Sequence, residues 1–419
     1  MEKALLVSVQ LKTDKGHWRV EDISSELEEL AHSTSVEVVE NIICICQKAT
    51  ANFLIGKGKV EEISVIASEE GIDTVIFSHD LSGTQVRNLE KAIGKKIIDR
   101  TQLILDIFSR RAKSPEGKMQ VELAQLQYLL PRLAGKGLTL SNLGGGIGTR
   151  GPGETKLEVD RRQIRKKIDK LKNDLKTFRL HCSTMRKKRK GNNLPVIALV
   201  GYTSAGKSTL LNLLTQSTQI TSEKLFTTLD PLSKSLALSN GQNVIISDTV
   251  GFLHDLPHHL IEAFKATLEE VNQADLLIHV LDVYDARLHQ HNQAVLSVLE
   301  ELGASDKPVL VALNKIDLVE DRSWLEVSKN DFPGSILLSA KTGENLAALI
   351  AKIEEHFSGL MLNIKIIIPH QRMELVDFFY RKAKVNKIDY LQEGVSIDLS
   401  ISRQLYDQIG EDKDIKVID

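Results

Sequence analysis

The sequence predicts an α/β protein whose centre is a mostly parallel, doubly wound sheet, preceded by a small α/β unit with a helical hairpin and followed by a small α+β unit. Three observations carry this. Short apolar runs alternate with stretches of helical periodicity as far as about residue 357, which is the rhythm of βαβ units. One run, Val196-Ile197-Ala198-Leu199-Val200, feeds Gly201-Tyr202-Thr203-Ser204-Ala205-Gly206-Lys207-Ser208 and then the helix-like Thr209-Leu210-Leu211-Asn212-Leu213-Leu214. Further apolar runs, Val244–Ser247, Val309–Leu313 and Ile336–Leu338, each end in a short polar motif, at the strand ends where open α/β sheets bind ligands.

Residues 1–110 read as one small α/β domain. Ala4–Val9, Val36–Ile45 and Thr74–Phe77 are strand candidates. Ile23–Ala31, Lys59–Glu70 and Leu81–Ile93 are helix candidates, the last two closed by Gly71 and Gly94, as helix C-termini commonly are. Ile97-Ile98-Asp99 and Leu103–Phe108 follow. Gly56-Lys57-Gly58-Lys59 lacks phosphate-loop spacing and reads as a turn with exposed lysines.

Residues 111–193 change character. Met119–Arg132 is a leucine-dense helix, and a glycine-rich loop runs from Gly144 to Gly153. Its Gly146-x-Gly148-x-x-Gly151 has no strand before it and meets Pro152 where a helix should begin, so a dinucleotide site is not expected. The loop carries Lys136 and Arg150 with no acid between them; a linker and a nucleic-acid-facing loop both fit. In the long helix from Glu154 to about Phe178, residues Leu157, Ile164, Ile168, Leu171, Leu175 and Phe178 form a heptad seam, suited to a helical hairpin. From Arg161 to Lys190 fourteen lysines and arginines face two aspartates, +12 in a chain whose net charge is −2. A solvated helix face usually mixes signs, so this excess points to RNA.

Residues 194–357 carry the chemistry. Gly201 to Ser208 is G-x-x-x-x-G-K-S, the phosphate-binding loop: backbone N–H groups and the helix N-terminus cradle phosphates, Lys207 reaches the β- and γ-phosphates, and the Ser208 hydroxyl faces Mg²⁺. Asp248-Thr249-Val250-Gly251 places a carboxylate near Mg²⁺ through water, and the Gly251 N–H near the γ-phosphate. Asn314-Lys315-Ile316-Asp317 argues for guanine, because Asp317 accepts from N1–H and the 2-amino group, donors that adenine lacks in that geometry. Ser339-Ala340-Lys341 fits the loop behind guanine O6. Between these lies Phe226-Thr227-Thr228-Leu229-Asp230-Pro231, where a mobile switch supplies a threonine to Mg²⁺; spacing leaves Thr227 and Thr228 both open. Phe252 stands where Ras-like enzymes carry a water-orienting glutamine, so a slow intrinsic rate stimulated by a partner is expected. His254, His258 and His259 are expected to be surface histidines rather than bases.

Residues 358–419 read as a small α+β domain: a strand from Asn363 to Pro369, a helix from Leu375 to Lys384 and a strand from Val395 to Ser402, with no chemistry evident. Three cysteines give no disulfide framework, and Cys44-x-Cys46 lacks the four ligands of structural zinc. No apolar run approaches the roughly 20 residues of a membrane span, and the N-terminus lacks signal-peptide features. A cytoplasmic monomer is the expectation.

With these residues in view, the chain resembles HflX-type GTPases, a translation-factor-related group. The motifs at 201–208, 226–231 and 248–252 carry the resemblance, with Gly-Gly-Ile-Gly-Thr-Arg-Gly-Pro-Gly-Glu-Thr at 145–155 and Asp-Arg-Thr-Gln-Leu-Ile-Leu-Asp-Ile-Phe at 99–108. The resemblance implies binding to the large ribosomal subunit and its rRNA, GTP hydrolysis there with Mg²⁺ and GDP as product, and splitting of stalled or stressed ribosomes. It implies that Thr228, with Ser208, ligates Mg²⁺, that Lys207, Thr228 and Gly251 serve catalysis, and that some ATP is used. The sequence departs from the family pattern at Thr227, Lys156 and Pro231-Leu232-Ser233-Lys234. The alternative is a GTP-gated RNA-binding or remodelling protein with a non-ribosomal target; a nucleotide-sensing scaffold with little turnover is a third reading.

Overall fold

The computed structural model describes residues 2–13, 18–34, 36–133, 156–191, 194–216, 232–255, 257, 260, 268–402, 406 and 416–418. It is an α/β structure with three sheets. The first is four-stranded and parallel. It contains β1 (Lys3–Leu11), β2 (Glu37–Cys46), β3 (Thr74–Phe77) and β4 (Lys96–Asp99), in the order β2-β1-β3-β4. Alternate residues of β1 serve two cores. Leu5, Val7 and Val9 pack with residues of α2 (Lys57–Glu69) and α3 (Gly83–Ile93). Ala4 and Leu6 face α1 (Val20–Ser33), α4 (Arg100–Arg111) and α5 (Pro115–Arg132). The period-2 alternation of a strand makes both faces apolar in a sheet covered on both sides.

Helix α6 (Lys156–Gly191) follows α5 and packs on it. Ile164, Ile168, Leu171 and Leu175 meet Met119, Leu123, Leu126 and Leu130, and Lys167 pairs with Glu122. Four of the six seam residues read from the sequence therefore make the α5–α6 contact.

The central sheet has the order β10-β9-β8-β5-β7-β6. Its strands are β5 (Val196–Gly201), β6 (Leu232–Ala237), β7 (Asn243–Asp248), β8 (Leu276–Asp282), β9 (Val309–Asn314) and β10 (Ile336–Leu337). All pairs are parallel except β6 with β7. Helices α7 (Lys207–Thr215), α8 (Leu288–Glu301), α9 (Arg322–Asp331) and α10 (Leu346–Phe357) flank it. After β7 the chain crosses to the other side of β5, so the carboxyl end of β5 is the topological switch point, where such sheets bind ligands.

The third sheet is antiparallel, ordered β12-β13-β11-β14, from β11 (Met361–Ile368), β12 (Lys384–Leu391), β13 (Gly394–Ser402) and β14 (Lys416–Ile418). Helix α11 (Glu374–Lys382) seats Val376 and Phe379 on Ile366, Ile368, Val395, Ile397 and Leu399. It stops two residues short of the sequence expectation, because Ala383 turns to an extended conformation and is buried, and Lys384 opens β12.

The first and central sheets share a core. One apolar cluster joins Leu27, Ile104 and Phe108 to Ala198, Val200, Tyr202 and Phe252, so the N-terminal unit is docked on the central sheet's loops. Among the described residues no helix is long and apolar enough to cross a membrane.

Candidate nucleotide site

Gly201 ends β5, the loop 202–206 turns, and α7 begins at Lys207. Gly206 caps that helix at φ +96°, and a side chain there would collide with Asn314 Nδ2. The left-handed conformation and the close approach both demand glycine. Asn314 closes the approach from the far side: its Nδ2 donates to the Ala205 carbonyl at 2.8 Å, and its Oδ1 accepts from the Ala340 N–H at 2.8 Å. One side chain thus ties the phosphate-type loop, the end of β9 and the 339–341 loop together.

Asp317 lies beside the same junction and accepts a 2.6 Å hydrogen bond from Ser339 Oγ. Lys315, at φ +68°, bridges to Asp282 at the end of β8, 2.6 Å away. Ile316 is buried in a small apolar cluster, Ala340 is buried and Lys341 is exposed.

Lys207 is buried. Its Nζ donates to the carbonyls of Gly201 (3.0 Å) and Tyr202 (2.7 Å). Burial lowers its pKa to about 8, against the opposing pull of the Asp248 carboxylate. Beside it, burial and the Lys207 charge bring His279 down to about 4. Ser208 Oγ donates to Asp248 Oδ2 at 2.6 Å, so two oxygen groups converge where α7 meets the end of β7. Thr249 is buried and donates to the Leu199 carbonyl at 2.7 Å.

The segment after Asp248 lies along the loop. Thr203 N–H donates to the Phe252 carbonyl at 3.0 Å, and Phe252 N–H donates to the Gly201 carbonyl at 3.1 Å. Between them, a Cβ on Gly251 would stand 2.9 Å from Thr203 Cα and 3.2 Å from Lys207 Nζ. Val250 is buried, and the Phe252 ring is buried in the core shared with the N-terminal unit.

The structure brings together Gly201 to Ser208, Asp248 to Gly251, Asn314 to Asp317 and Ser339 to Lys341. Phe226, Thr227, Thr228, Leu229 and Asp230 lie outside the described residues, as do the glycine loop at 145–155, His258 and His259, and the side chains of the basic run Arg186–Lys190. His254 stacks on Trp18 at 4.5 Å between centroids, which commits its ring to the N-terminal unit.

Contacts that local patterns did not foretell also reach this site. Tyr202 Oη donates to Glu26 of α1 and accepts from the His254 N–H at 3.0 Å. Arg100, the first residue of α4, donates from Nε to Glu26 Oε1 at 3.2 Å, from Nη1 to the Asp255 carbonyl at 3.0 Å and from Nη2 to the His254 carbonyl. Glu26, Arg100 and Tyr202 are all buried. Burial drives the Glu26 carboxyl up, but the Arg100 guanidinium and the Tyr202 hydroxyl outweigh it and hold its pKa below normal. Two sequence signals were present: Glu26, a carboxylate between Ile23, Leu27 and Leu30 on the apolar face of a helix, and Arg100 within the stretch 99–108 that carries the family resemblance.

Four family models match the chain in order. They are described as GTP-binding GTPase N-terminal (residues 21–109), GTP-binding GTPase middle region (111–189), 50S ribosome-binding GTPase (196–315) and HflX C-terminal domain (327–413). The GTPase HflX of Caldanaerobacter subterraneus subsp. tengcongensis is 43% identical over 408 residues, 97% of this chain and 93% of that protein. That of Alkalihalophilus pseudofirmus is 46% identical, covering 88% and 86%, and that of Escherichia coli K12 is 39% identical, covering 97% and 94%. Among solved structures, a GTP-binding protein from the archaeon Sulfolobus solfataricus in complex with GDP is 26% identical, covers 86% of this chain and 100% of its own, and has a TM-score of 0.44. With relatives well above 30% identity along nearly its whole length, the chain belongs to the HflX family of GTPases, enzymes that hydrolyse GTP.

Proposed function

We propose that this GTPase binds the large ribosomal subunit and its rRNA, and uses its nucleotide state to control that association, splitting or rescuing stalled or stressed ribosomes. The observation that carries the reading is the direct contact of Tyr202 in the phosphate loop with Glu26 of the N-terminal unit. That unit leads through α5 into α6, whose span includes the +12 stretch. A change at the nucleotide therefore has a physical route to a basic, RNA-attracting helix pair. The model matched by residues 196–315, described as 50S ribosome-binding GTPase, supports the choice of partner. Under this reading the chain works as a cytoplasmic monomer, divided at about residues 110, 193 and 357.

Within the site, the N–H groups of Gly201 to Gly206 wrap the phosphates and Lys207 holds the β- and γ-phosphates. Asn314, Lys315 and Asp317 hold guanine against Ser339, Ala340 and Lys341, with ATP a weaker substrate. Ser208 and Asp248, two hard oxygen donors 2.6 Å apart, suit a hard cation, and Thr228 would complete the set. Mg²⁺, when bound, neutralises charge between the β- and γ-phosphates. Gly251 offers its N–H to the γ-phosphate. The buried Phe252 ring cannot orient water, so the intrinsic rate is slow and the partner supplies the missing group.

The test is co-sedimentation with purified large subunits in a non-hydrolysable GTP analogue or in GDP. Retention with the analogue and release with GDP is expected; equal, salt-sensitive binding in both would overturn the reading. The basic stretch gives a second reading, an RNA-remodelling protein with another target. It is favoured instead if total RNA competes as well as large subunits at moderate salt.

A further inference from the structure

The motif Asp99-Arg100-Thr101 lies outside the nucleotide site, yet two nitrogens of its middle residue reach the segment that follows Gly251. Arg100 is at the start of α4, where β4 ends at the carboxyl edge of the first sheet. Its neighbours are fixed within the N-terminal unit. Asp99 accepts from the N–H groups of Leu81 and Gln102, from Tyr128 Oη and from Arg132. Thr101 donates to Asp80. Only Arg100 of the three faces the central sheet's loops.

There it closes a ring of hydrogen bonds. Arg100 binds Glu26, Glu26 accepts from Tyr202 Oη, Tyr202 Oη accepts from the His254 N–H, and the His254 carbonyl returns to Arg100. The Asp255 carbonyl adds a further link. Every member is partnered and the side chains are buried, which makes such networks strong and all-or-none.

The ring fixes the chain just after Gly251 and Phe252. That segment lies on the loop through the paired Thr203–Phe252 and Phe252–Gly201 hydrogen bonds, so closely that a Cβ added at Gly251 would stand 2.9 Å from Thr203 Cα and 3.2 Å from Lys207 Nζ. Lys207 is the residue that reaches a γ-phosphate. A terminal phosphate held by both Lys207 Nζ and the Gly251 N–H needs the segment after Asp248 to rearrange around it, and that backbone is tethered three residues on. A diphosphate imposes no such demand. An interaction made in one state and weakened in the other shifts the equilibrium between them by its own worth.

We infer that Arg100 is a specificity-determining residue of this GTPase: by holding residues 254 and 255 to Glu26, and through it to the phosphate loop, it sets the preference for diphosphate over triphosphate. The inference rests on the nucleotide-site reading above, with Lys207 at the terminal phosphates.

The test is equilibrium binding of GDP and of a non-hydrolysable GTP analogue to the full chain. The paired variant Glu26→Gln with Arg100→Gln avoids stranding a buried charge. Its affinity ratio of analogue to GDP is expected to rise about tenfold, the worth of one charge-assisted hydrogen bond lost from one state. In turnover, KM for GTP falls and kcat stays within about twofold. Tyr202→Phe, which opens the ring but keeps the ring stacking on His291 at 3.8 Å, is expected to shift the ratio the same way. Arg100→Lys reaches fewer partners and restores only part of the wild-type ratio. Ile63→Ala, in the core on the other face of the first sheet, weakens the N-terminal unit without touching the ring, lowers Tm and leaves the ratio unchanged. An unchanged ratio in folded Glu26/Arg100 and Tyr202 variants overturns the inference, as does an equal shift in Ile63→Ala. Lys207→Ala separates the two layers: it abolishes binding of both nucleotides if the site reading holds, and wild-type binding by it overturns that reading itself.

Discussion

Lys207 carries two pH dependences of opposite sign. Its pKa in the folded chain is about 8, depressed by burial against the pull of Asp248. The unfolded chain holds the proton to a higher pH, near the ordinary lysine value, so folding stability rises as pH climbs above about 8. Phosphate binding needs the ammonium, so nucleotide affinity falls over the same range, by up to about tenfold per pH unit. GDP titrations and thermal melts from pH 7 to 9.5 should move in opposite directions; parallel movement would exclude Lys207 as the titrating group. Asn314 offers a second residue-scale check. Asn314→Ala removes the bonds to Ala205 and Ala340 and leaves both backbone groups unpaired, at a cost of about 1–3 kcal/mol each. Tm and nucleotide affinity should fall together, whereas Lys341→Ala, at an exposed position, should leave Tm within a degree or two of wild type. The residues converging here were legible because each closes an apolar run within a few positions. The pairing of Glu26 with Arg100 was not, because they lie 74 residues apart and far from the loop they grip; no local pattern spans such a separation, although the stretch 99–108 stood out by its family resemblance.

At the scale of elements, the α5–α6 pair is the clearest case of sequence pattern becoming contact. Ile168, Leu171 and Leu175 are buried against α5 in a helix that is otherwise polar and cationic. Leu171→Ala and Leu175→Ala are each expected to cost about 2–3 kcal/mol, read as faster proteolysis within residues 111–193. If the basic helix serves RNA, the double variant loses co-sedimentation with large subunits while intrinsic GTP hydrolysis stays within about twofold; a parallel loss of hydrolysis would place the helix pair in the catalytic unit instead. Strands were legible where their residues form an apolar run. β1, β3, β5 and β8 are apolar on both faces and stand out as runs. β6 and β12 are edge strands, with Lys234 and Ser235 exposed in the first and Lys384, Asn386 and Lys387 in the second. An edge strand buries only one face and blunts the other with polar residues, so its sequence reads as loop. The helix read through to Lys384 failed for the same reason: the signal for β12 is too weak to announce where α11 stops.

On the scale of the whole molecule, the N-terminal unit and the central domain meet through one continuous core. Trp18 stacks on His254 and lies 6.3 Å from Tyr202 between centroids, and Arg287 of the central domain pairs with Glu29 of α1 at 3.2 Å. Trp18→Ala is expected to cost about 3–5 kcal/mol of docking. Calorimetry of the variant should resolve two transitions where the wild type gives one, because two cores released from each other melt separately. A single transition shifted uniformly downward would show that the two units remain one cooperative block.

Sequence alone determined the α/β class, the order of apolar strands, the phosphate-loop and guanine-type motifs and the family resemblance, because each is written in residues close together in the chain and governed by period or spacing. Only the tertiary structure decided that the N-terminal unit seats on the phosphate loop, that Phe252 turns into the shared core, and that Arg100 grips the segment after Gly251. Those contacts join residues up to 176 apart, and their worth comes from burial, which exists only once the separate sheets have packed together.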